Sequence, residues 1–101
     1  MPSLSVIIPT IGRATLKAAL ASLRRQLTTQ DEVIVIGDGE QRDAALMFAA
    51  SGLCGWYIHT QHDQHDWGNS QRNYGMERAR GEYLLFLDDD DIYLPGALDK
   101  F

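Results

Sequence analysis

The chain has 101 residues, of which 45% are hydrophobic and 23% are charged, and its formal net charge is −5. This length suits one domain, and the composition is typical of a globular chain and not of a disordered one. The negative charge argues against a nucleic-acid groove and predicts no nucleic-acid partner, because lysine and arginine bind phosphate backbones. No apolar run approaches the ~20 residues that a membrane helix needs.

Cysteine usage and the N-terminal residues bear on the compartment. Cys54 is the only cysteine, which leaves no internal disulfide and no cysteine zinc cluster and favours a reducing compartment. The first residues show no basic segment followed by a long apolar one, so no signal peptide is predicted. We therefore expect a cytoplasmic protein, including a location at the cytoplasmic face of the membrane.

Apolar runs and helical periodicity alternate along the chain. Strands are predicted at residues 4–8, 33–36, 56–60 and 83–87. Helices are predicted at residues 15–28, 41–51 and 70–80, with Thr15 as the first N-cap, and a fourth helix begins at Pro95. This alternation implies a three-layer α/β/α fold with a mainly parallel sheet. The third strand is the most amphipathic and is expected near an edge.

The fourth apolar run ends in consecutive aspartates, at 88–91. Residues 83–87 do not alternate with polar residues, which predicts a strand buried on both faces in the middle of the sheet. Ligands of open α/β sheets bind beyond the carboxyl ends of the strands, where these aspartates lie. Adjacent carboxylates repel one another unless a cation neutralises them. The run therefore predicts a divalent-metal site, with a solvated acidic turn as the alternative.

Four segments resemble motifs of family 2 glycosyltransferases, which have the GT-A fold. Residues 5–10 resemble the opening strand with its Pro-Thr exit, and residues 32–39 the second strand, which usually ends Asp-Asp-Gly-Ser. Residues 68–75 resemble the G-x-S-x-x-R-N-x-G segment, and residues 81–90 the strand with the D-x-D signature. The resemblance covers roughly residues 4–96. It makes residues 1–101 a single, partial domain, the Rossmann-like nucleotide-sugar-binding half of GT-A.

The resemblance implies a function and a metal. The reaction is transfer of a sugar, with inversion, from a nucleoside-diphosphate sugar to an unidentified acceptor. Mn²⁺ or Mg²⁺ is the expected cofactor, because both suit carboxylate and diphosphate oxygens. By the resemblance Asp90 is the metal ligand, and Asp88 faces the ribose and assists the metal. Asp89 lies inside the signature and is counted with the nucleotide site, although strand alternation turns it away and a solvated position is favoured.

The resemblance also implies a pocket that binds the nucleotide base. Asp38 is placed to accept a hydrogen bond from the N3–H of uracil, which favours a UDP-sugar; a turn or N-cap aspartate is the alternative. Pro9 and Thr10 line the base through backbone groups, or simply end the first strand. Arg72 reaches the base or a phosphate oxygen from the first turn of its helix, with a surface salt bridge as the alternative.

Two departures limit these expectations. The first acid of the second-strand motif is Gly37 here, and its serine is Glu40. The acceptor half and the general base are expected beyond residue 101, so no catalytic residue is named, and a non-catalytic nucleotide-sugar-binding module remains the alternative function. The D-x-D strand is internal in GT-A sheets. If the chain ends at Phe101 this strand becomes an edge, and we expect a homo-oligomer to cover it or a longer protein to contain it.

Overall fold

Strands and helices alternate through residues 3–61 and 69–90, which are the residues that the computed structural model describes. The strands are β1 Leu4–Thr10, β2 Glu32–Asp38, β3 Gly55–Thr60 and β4 Tyr83–Phe86. The helices are α1 Thr15–Arg24, α2 Arg42–Ser51 and α3 Asn69–Arg78. None of these helices is long and apolar enough to cross a membrane. The predicted alternation is confirmed, and the helix expected from Pro95 lies outside the described residues.

The sheet is parallel throughout, with the strand order β3-β2-β1-β4. Ile7 of β1 lies between Ile34 of β2 and Phe86 of β4 in the register. All four strands run in the same direction, so the loops that follow them open on one edge, which we call the carboxyl edge. The predicted parallel sheet is confirmed, as is the edge position of the third strand.

Side chains alternate between the two faces of the sheet and build a core on each. One face packs against α1 and α2, and its buried residues include Val6, Ile8, Leu16, Leu20, Val33 and Val35. The other face packs against α3 through Ile7, Ile34 and Ile36. Fully burying one such aliphatic side chain contributes about 1.5–3 kcal/mol. The helices on both faces confirm the three-layer architecture.

Helix α3 packs directly on the sheet because of Gly75. A Cβ atom at this position would lie 2.8 Å from Cγ2 of Ile7 and 2.9 Å from Cδ1 of Ile36. Only glycine avoids these contacts, which are shorter than van der Waals packing allows. The close approach also brings Arg72, in the first turn of α3, toward the carboxyl edge.

Two boundary predictions on the way into α1 are wrong. Strand β1 does not stop at Pro9 but continues to Thr10, pairing with β2 up to Gly37. Pairing with β4 ends at Ile7, so the missing N–H of Pro9 lies beyond that ladder. Thr15 is the first residue of α1 and not its cap, because Ala14 before it already has helical backbone angles and makes no side-chain cap bond.

Strand β4 is exposed, so the prediction that it is buried on both faces is wrong. The exposed fractions of Tyr83, Leu84 and Phe86 are 55%, 43% and 43%. Among the described residues β4 pairs with β1 alone, while α3 packs on β1, β2 and β3. The apolar run correctly predicted a strand at β4. An apolar edge strand has the same composition as a central strand, so composition did not distinguish the two positions.

Candidate functional site

The exits of β1 and β4 are joined by the buried carboxylate of Asp89, which is 2% exposed. Its Oδ2 accepts a hydrogen bond from Thr10 Oγ1 at 2.8 Å and one from the Ile11 amide at 3.4 Å. Thr10 Oγ1 in turn accepts the Gly12 amide at 3.0 Å. The prediction that Asp89 is a solvated turn residue is therefore wrong. Alternation turns it to the face of the sheet that also holds the Thr10 side chain, where it meets hydrogen-bond donors.

Arg13 completes the surroundings of Asp89, and the sequence analysis missed it. Its Nε donates to Asp89 Oδ1 at 3.0 Å, and its Nη2 donates to the same oxygen. Its Nη1 lies 3.6 Å from Oδ2 of Asp90. The hydrogen bond to Asp89 raises the pKa of the Arg13 guanidinium above its usual value, so the group stays cationic. A cation in the loop after a buried parallel strand, on the ligand-binding edge, was the available signal.

Asp88 and Asp90 lie on the other side of the chain from Asp89. Their side chains are 57% and 48% exposed, as strand alternation predicts for the outer members of a D-x-D sequence. Asp88 Oδ1 accepts a hydrogen bond from Nη2 of Arg72 at 3.0 Å. The turn therefore separates one buried, structural carboxylate from two carboxylates that face solvent.

Arg72 approaches this turn from α3. An exposed ion pair of this kind contributes only about 0–1 kcal/mol, so the contact with Asp88 does little for stability. It does place a guanidinium at the helix N-terminus beside the aspartates, where the dipole also favours anions. Contact of Arg72 with a base or phosphate stays a prediction.

The exit of β2 reaches the same edge through Asp38. Nε2 of Gln41 donates to the Asp38 carbonyl at 2.8 Å, and the Gly39 amide donates to the Thr60 carbonyl at 3.0 Å. These bonds fix the backbone that carries Asp38, which is half-buried. Its predicted contact with a uracil base stays a prediction.

Pro9 and Thr10 occupy the floor of this edge between β2 and β4. Pro9 is half-buried and Thr10 is 3% exposed. The Thr10 hydroxyl is engaged with Asp89, so a base that reached this point would meet backbone groups, as predicted. The contact itself stays a prediction, as does nucleotide binding by Asp89.

Gly37 takes the place of an acid in the second-strand motif, and Tyr57 explains why. A Cβ at Gly37 would lie 2.7 Å from the Tyr57 hydroxyl oxygen and 2.7 Å from the Gly39 carbonyl oxygen. The Tyr57 hydroxyl accepts a hydrogen bond from the Gln41 amide at 2.7 Å. Burial raises the pKa of Tyr57, so the hydroxyl stays neutral. The tyrosine occupies the space that a side chain at position 37 would need.

The donor set at the turn fits Mn²⁺ or Mg²⁺. Within the described ranges no three acidic, histidine or cysteine side chains converge on one point. Such convergence is not required, because Mg²⁺ in phosphate-transfer sites is held by one or two carboxylates together with substrate phosphates. Asp88 and Asp90 supply two solvent-facing carboxylates of this kind.

Comparison with known protein families identifies the family of the chain. The model for "Glycosyl transferase family 2" matches residues 5–101. The chain belongs to glycosyltransferase family 2. The resemblance of the four sequence motifs is therefore confirmed at the level of the family.

Curated relatives of this family 2 chain are longer proteins. It is 35% identical over 103 residues to the GalNAc(5)-diNAcBac-PP-undecaprenol beta-1,3-glucosyltransferase of Campylobacter jejuni, a match that covers 97% of this chain and 33% of that enzyme. It is 31% identical to an uncharacterized glycosyltransferase of Haemophilus influenzae, covering 96% of this chain and 32% of the relative. The chain thus spans about a third of their length.

Solved transferase structures share the fold of this family 2 chain. The structure of S. aureus TarS 1–349 in complex with UDP-GlcNAc has a TM-score of 0.81 at 28% identity, covering 97% of this chain and 29% of that chain. A mannosyltransferase of Pyrobaculum calidifontis, in complex with GDP-Man and Mn²⁺, has a TM-score of 0.78 at 17% identity, covering 95% of this chain and 29% of that one. The predicted GT-A type of α/β fold is confirmed.

Restoring a side chain at position 37 should destabilise the protein. We expect Gly37→Ala and Gly37→Asp to lower the free energy of unfolding in urea by about 1–3 kcal/mol, the usual cost of overpacking. Glu40→Ala, at an exposed neighbouring position, is the control and should change stability by less than about 0.5 kcal/mol. Gly37→Ala should cost less in a Tyr57→Phe background. A Gly37→Ala variant as stable as the wild type would refute the packing explanation.

Proposed function

We propose that this chain is the donor-binding half of a metal-dependent, inverting glycosyltransferase that uses a UDP-sugar. The observation that carries the proposal is the pair of solvent-facing carboxylates, Asp88 and Asp90, with a guanidinium beside them at the carboxyl edge. Family membership and the similarity to TarS in complex with UDP-GlcNAc support it.

The preference for uridine rests on Asp38. A carboxylate accepts a hydrogen bond from the N3–H of uracil, whereas cytosine has no proton at this position. Gln41 and Gly39 hold the backbone around Asp38, so the carboxylate extends from a fixed strand end. A pre-organised acceptor selects between bases, because the wrong base leaves it unpaired.

The acids of the β4 exit act on the diphosphate. When bound, a divalent cation offsets the negative charge that grows on the leaving nucleoside diphosphate. Asp90 and Asp88 are the residues that would hold it. Arg72, in the first turn of α3, would bind a phosphate oxygen of the ligand. Its hydrogen bond to Asp88 would then be replaced by the one to the phosphate.

The location of the acceptor site and the cellular compartment are further parts of the proposal. We propose that the general base and the acceptor contacts belong to residues beyond position 101, since the relatives are about three times as long. We place the protein in the cytoplasm or at the cytoplasmic face of the membrane. The free, exposed thiol of Cys54 supports a reducing compartment.

Calorimetry with UDP tests the donor proposal. We expect UDP to bind in the presence of Mn²⁺ and to bind at least about tenfold more weakly without it, equal to about 1.4 kcal/mol. Asp90→Asn removes a carboxylate charge and should abolish the gain from Mn²⁺. Asp43→Asn, at an exposed position in the first turn of α2, removes the same charge elsewhere and should leave binding unchanged.

The calorimetric outcomes separate the alternatives. Absence of binding to UDP, CDP and GDP by the wild type would refute the proposal. Binding that Mn²⁺ does not affect would refute the metal role alone. Metal-dependent binding without transfer of sugar to any acceptor tested would favour a non-catalytic nucleotide-sugar-binding module.

We also propose that a second copy covers strand β4 wherever residues 1–101 stand alone, and that in a longer protein later residues cover it instead. The support is the exposed apolar surface of Leu84 and Phe86 on an edge strand, a combination that proteins seldom leave open.

Sedimentation velocity tests this assembly. The wild type should shift from monomer to dimer as its concentration rises, and Phe86→Lys should remain monomeric because a charge on this surface opposes its burial. Glu77→Lys, which adds a lysine at an exposed position of α3, is the control and should dimerise normally. A wild type that stays monomeric at high concentration would contradict the proposal.

A further inference from the structure

We propose that Arg13 is the positioning residue of the aspartate turn. By holding Asp89 inside the fold, it directs Asp88 and Asp90 outward to the metal and the donor diphosphate. This inference rests on the proposed function for its ligand, but the geometry that carries it is independent of any ligand.

The hydrogen bonds of Asp89 show how the turn is held. Oδ1 receives two donors from the Arg13 guanidinium, Nε and Nη2. Oδ2 receives the hydroxyl of Thr10 and the amide of Ile11. Four donors thus surround one buried carboxylate, all of them from the four-residue stretch 10–13 at and after the end of β1. Without Arg13, Oδ1 of this buried carboxylate would lose the two hydrogen bonds that the guanidinium donates to it.

The charge of Arg13 matters as much as its hydrogen bonds. A buried carboxylate without a neighbouring cation has a desolvation penalty that no ion pair offsets. This penalty favours rotation of the side chain into solvent. If Asp89 rotated outward, the alternation of the turn would change, and its neighbours Asp88 and Asp90 would change direction with it. The Arg13 guanidinium opposes this rotation.

Arg13 donates its hydrogen bonds to Asp89 and makes a longer ion pair with Asp90. Its nearest distance to Asp90 is 3.6 Å, which is longer than a hydrogen bond allows. Asp88 is paired with Arg72 from the opposite side of the sheet. Arg13 thus hydrogen-bonds the inner carboxylate and lies near Asp90, while Arg72 pairs with Asp88. A planar guanidinium with two parallel donors suits this role better than a lysine ammonium.

Hydrogen exchange of the free protein tests the positioning directly. In Arg13→Ala we expect the amides of Ile11 and Gly12 to exchange faster by about an order of magnitude or more, because both depend on the ordered Asp89–Thr10 pair. Arg13→Lys keeps the charge and should recover part of the protection. Arg25→Ala, at the exposed end of α1, is the matched control and should leave both amides unchanged. Unchanged exchange in Arg13→Ala would overturn the proposal.

Binding of Mn²⁺ in the presence of UDP tests the consequence. Residues that orient metal ligands typically change metal affinity by about 10-fold to 100-fold, so Arg13→Ala should weaken Mn²⁺ binding by that factor and Arg13→Lys by less. Binding of uridine, which lacks phosphates, should change by less than about twofold, since within residues 3–61 and 69–90 the side-chain polar contacts of Arg13 go to Asp89 and Asp90 and not to the β2 exit. Asp89→Asn should weaken Mn²⁺ binding similarly, and the double variant should lose little more than either single one.

The outcomes separate this inference from the proposed function. Equal losses of uridine and Mn²⁺ binding in Arg13→Ala would indicate general loss of structure and overturn the positioning role. Wild-type Mn²⁺ affinity in Arg13→Ala would overturn it as well. If the wild type bound no Mn²⁺ with UDP, the proposed function would fail, and the exchange of the Ile11 and Gly12 amides would still decide whether Arg13 holds the turn.

Discussion

The hydrogen bond between Thr10 and Asp89 joins the ends of two strands that are 79 residues apart in the sequence. It is made inside the protein, where an unpaired carboxylate would be costly, so the exit loops of β1 and β4 must pack together for the fold to form. The arrangement of the aspartate turn at the carboxyl edge follows from this pairing. The inner acid is fixed by protein donors, and its two neighbours, Asp88 and Asp90, are turned toward solvent.

At the opposite edge of the sheet, where the strands begin, the acidic side chains accept hydrogen bonds from the protein itself. Asp31 accepts the amides of Leu4 and Thr28, and Glu32 accepts the hydroxyl of Ser5. These carboxylates satisfy donors of the protein at the strand beginnings, as native structures require of buried polar groups. A ligand site needs acids whose oxygens remain available. At the carboxyl edge Asp89 is the buried acid held by protein donors, whereas Asp88 and Asp90 are exposed and pair with guanidinium groups at the surface.

Features that depend on local sequence patterns could be predicted, whereas contacts between distant parts of the chain could not. Apolar runs and helical periods are local, so the order of strands and helices and the acids at the strand ends were predicted correctly. The contact of Arg13 with Asp89 depends on how two distant loops pack, so the sequence signals a cation at the carboxyl edge but not the partner of that cation. The edge position of β4 was expected only on the condition that the chain ends at Phe101, because the composition of an apolar strand is the same at an edge as in the centre. The glycine at position 37 was noticed, but its reason lies in the Tyr57 hydroxyl and the Gly39 carbonyl oxygen beside it, which only the structure shows.

The central claim is that the carboxyl edge of the sheet binds the metal and the nucleotide. Paramagnetic broadening of amide signals by Mn²⁺, measured by NMR in the presence of UDP, tests it most directly. The account predicts that the signals of Asp88 and Asp90 broaden first, followed by those of Ile11 and Gly12. Signals at the amino edge, such as that of Gln30, should stay sharp. Broadening centred on the amino edge, or equal broadening of all exposed acidic segments, would contradict the account.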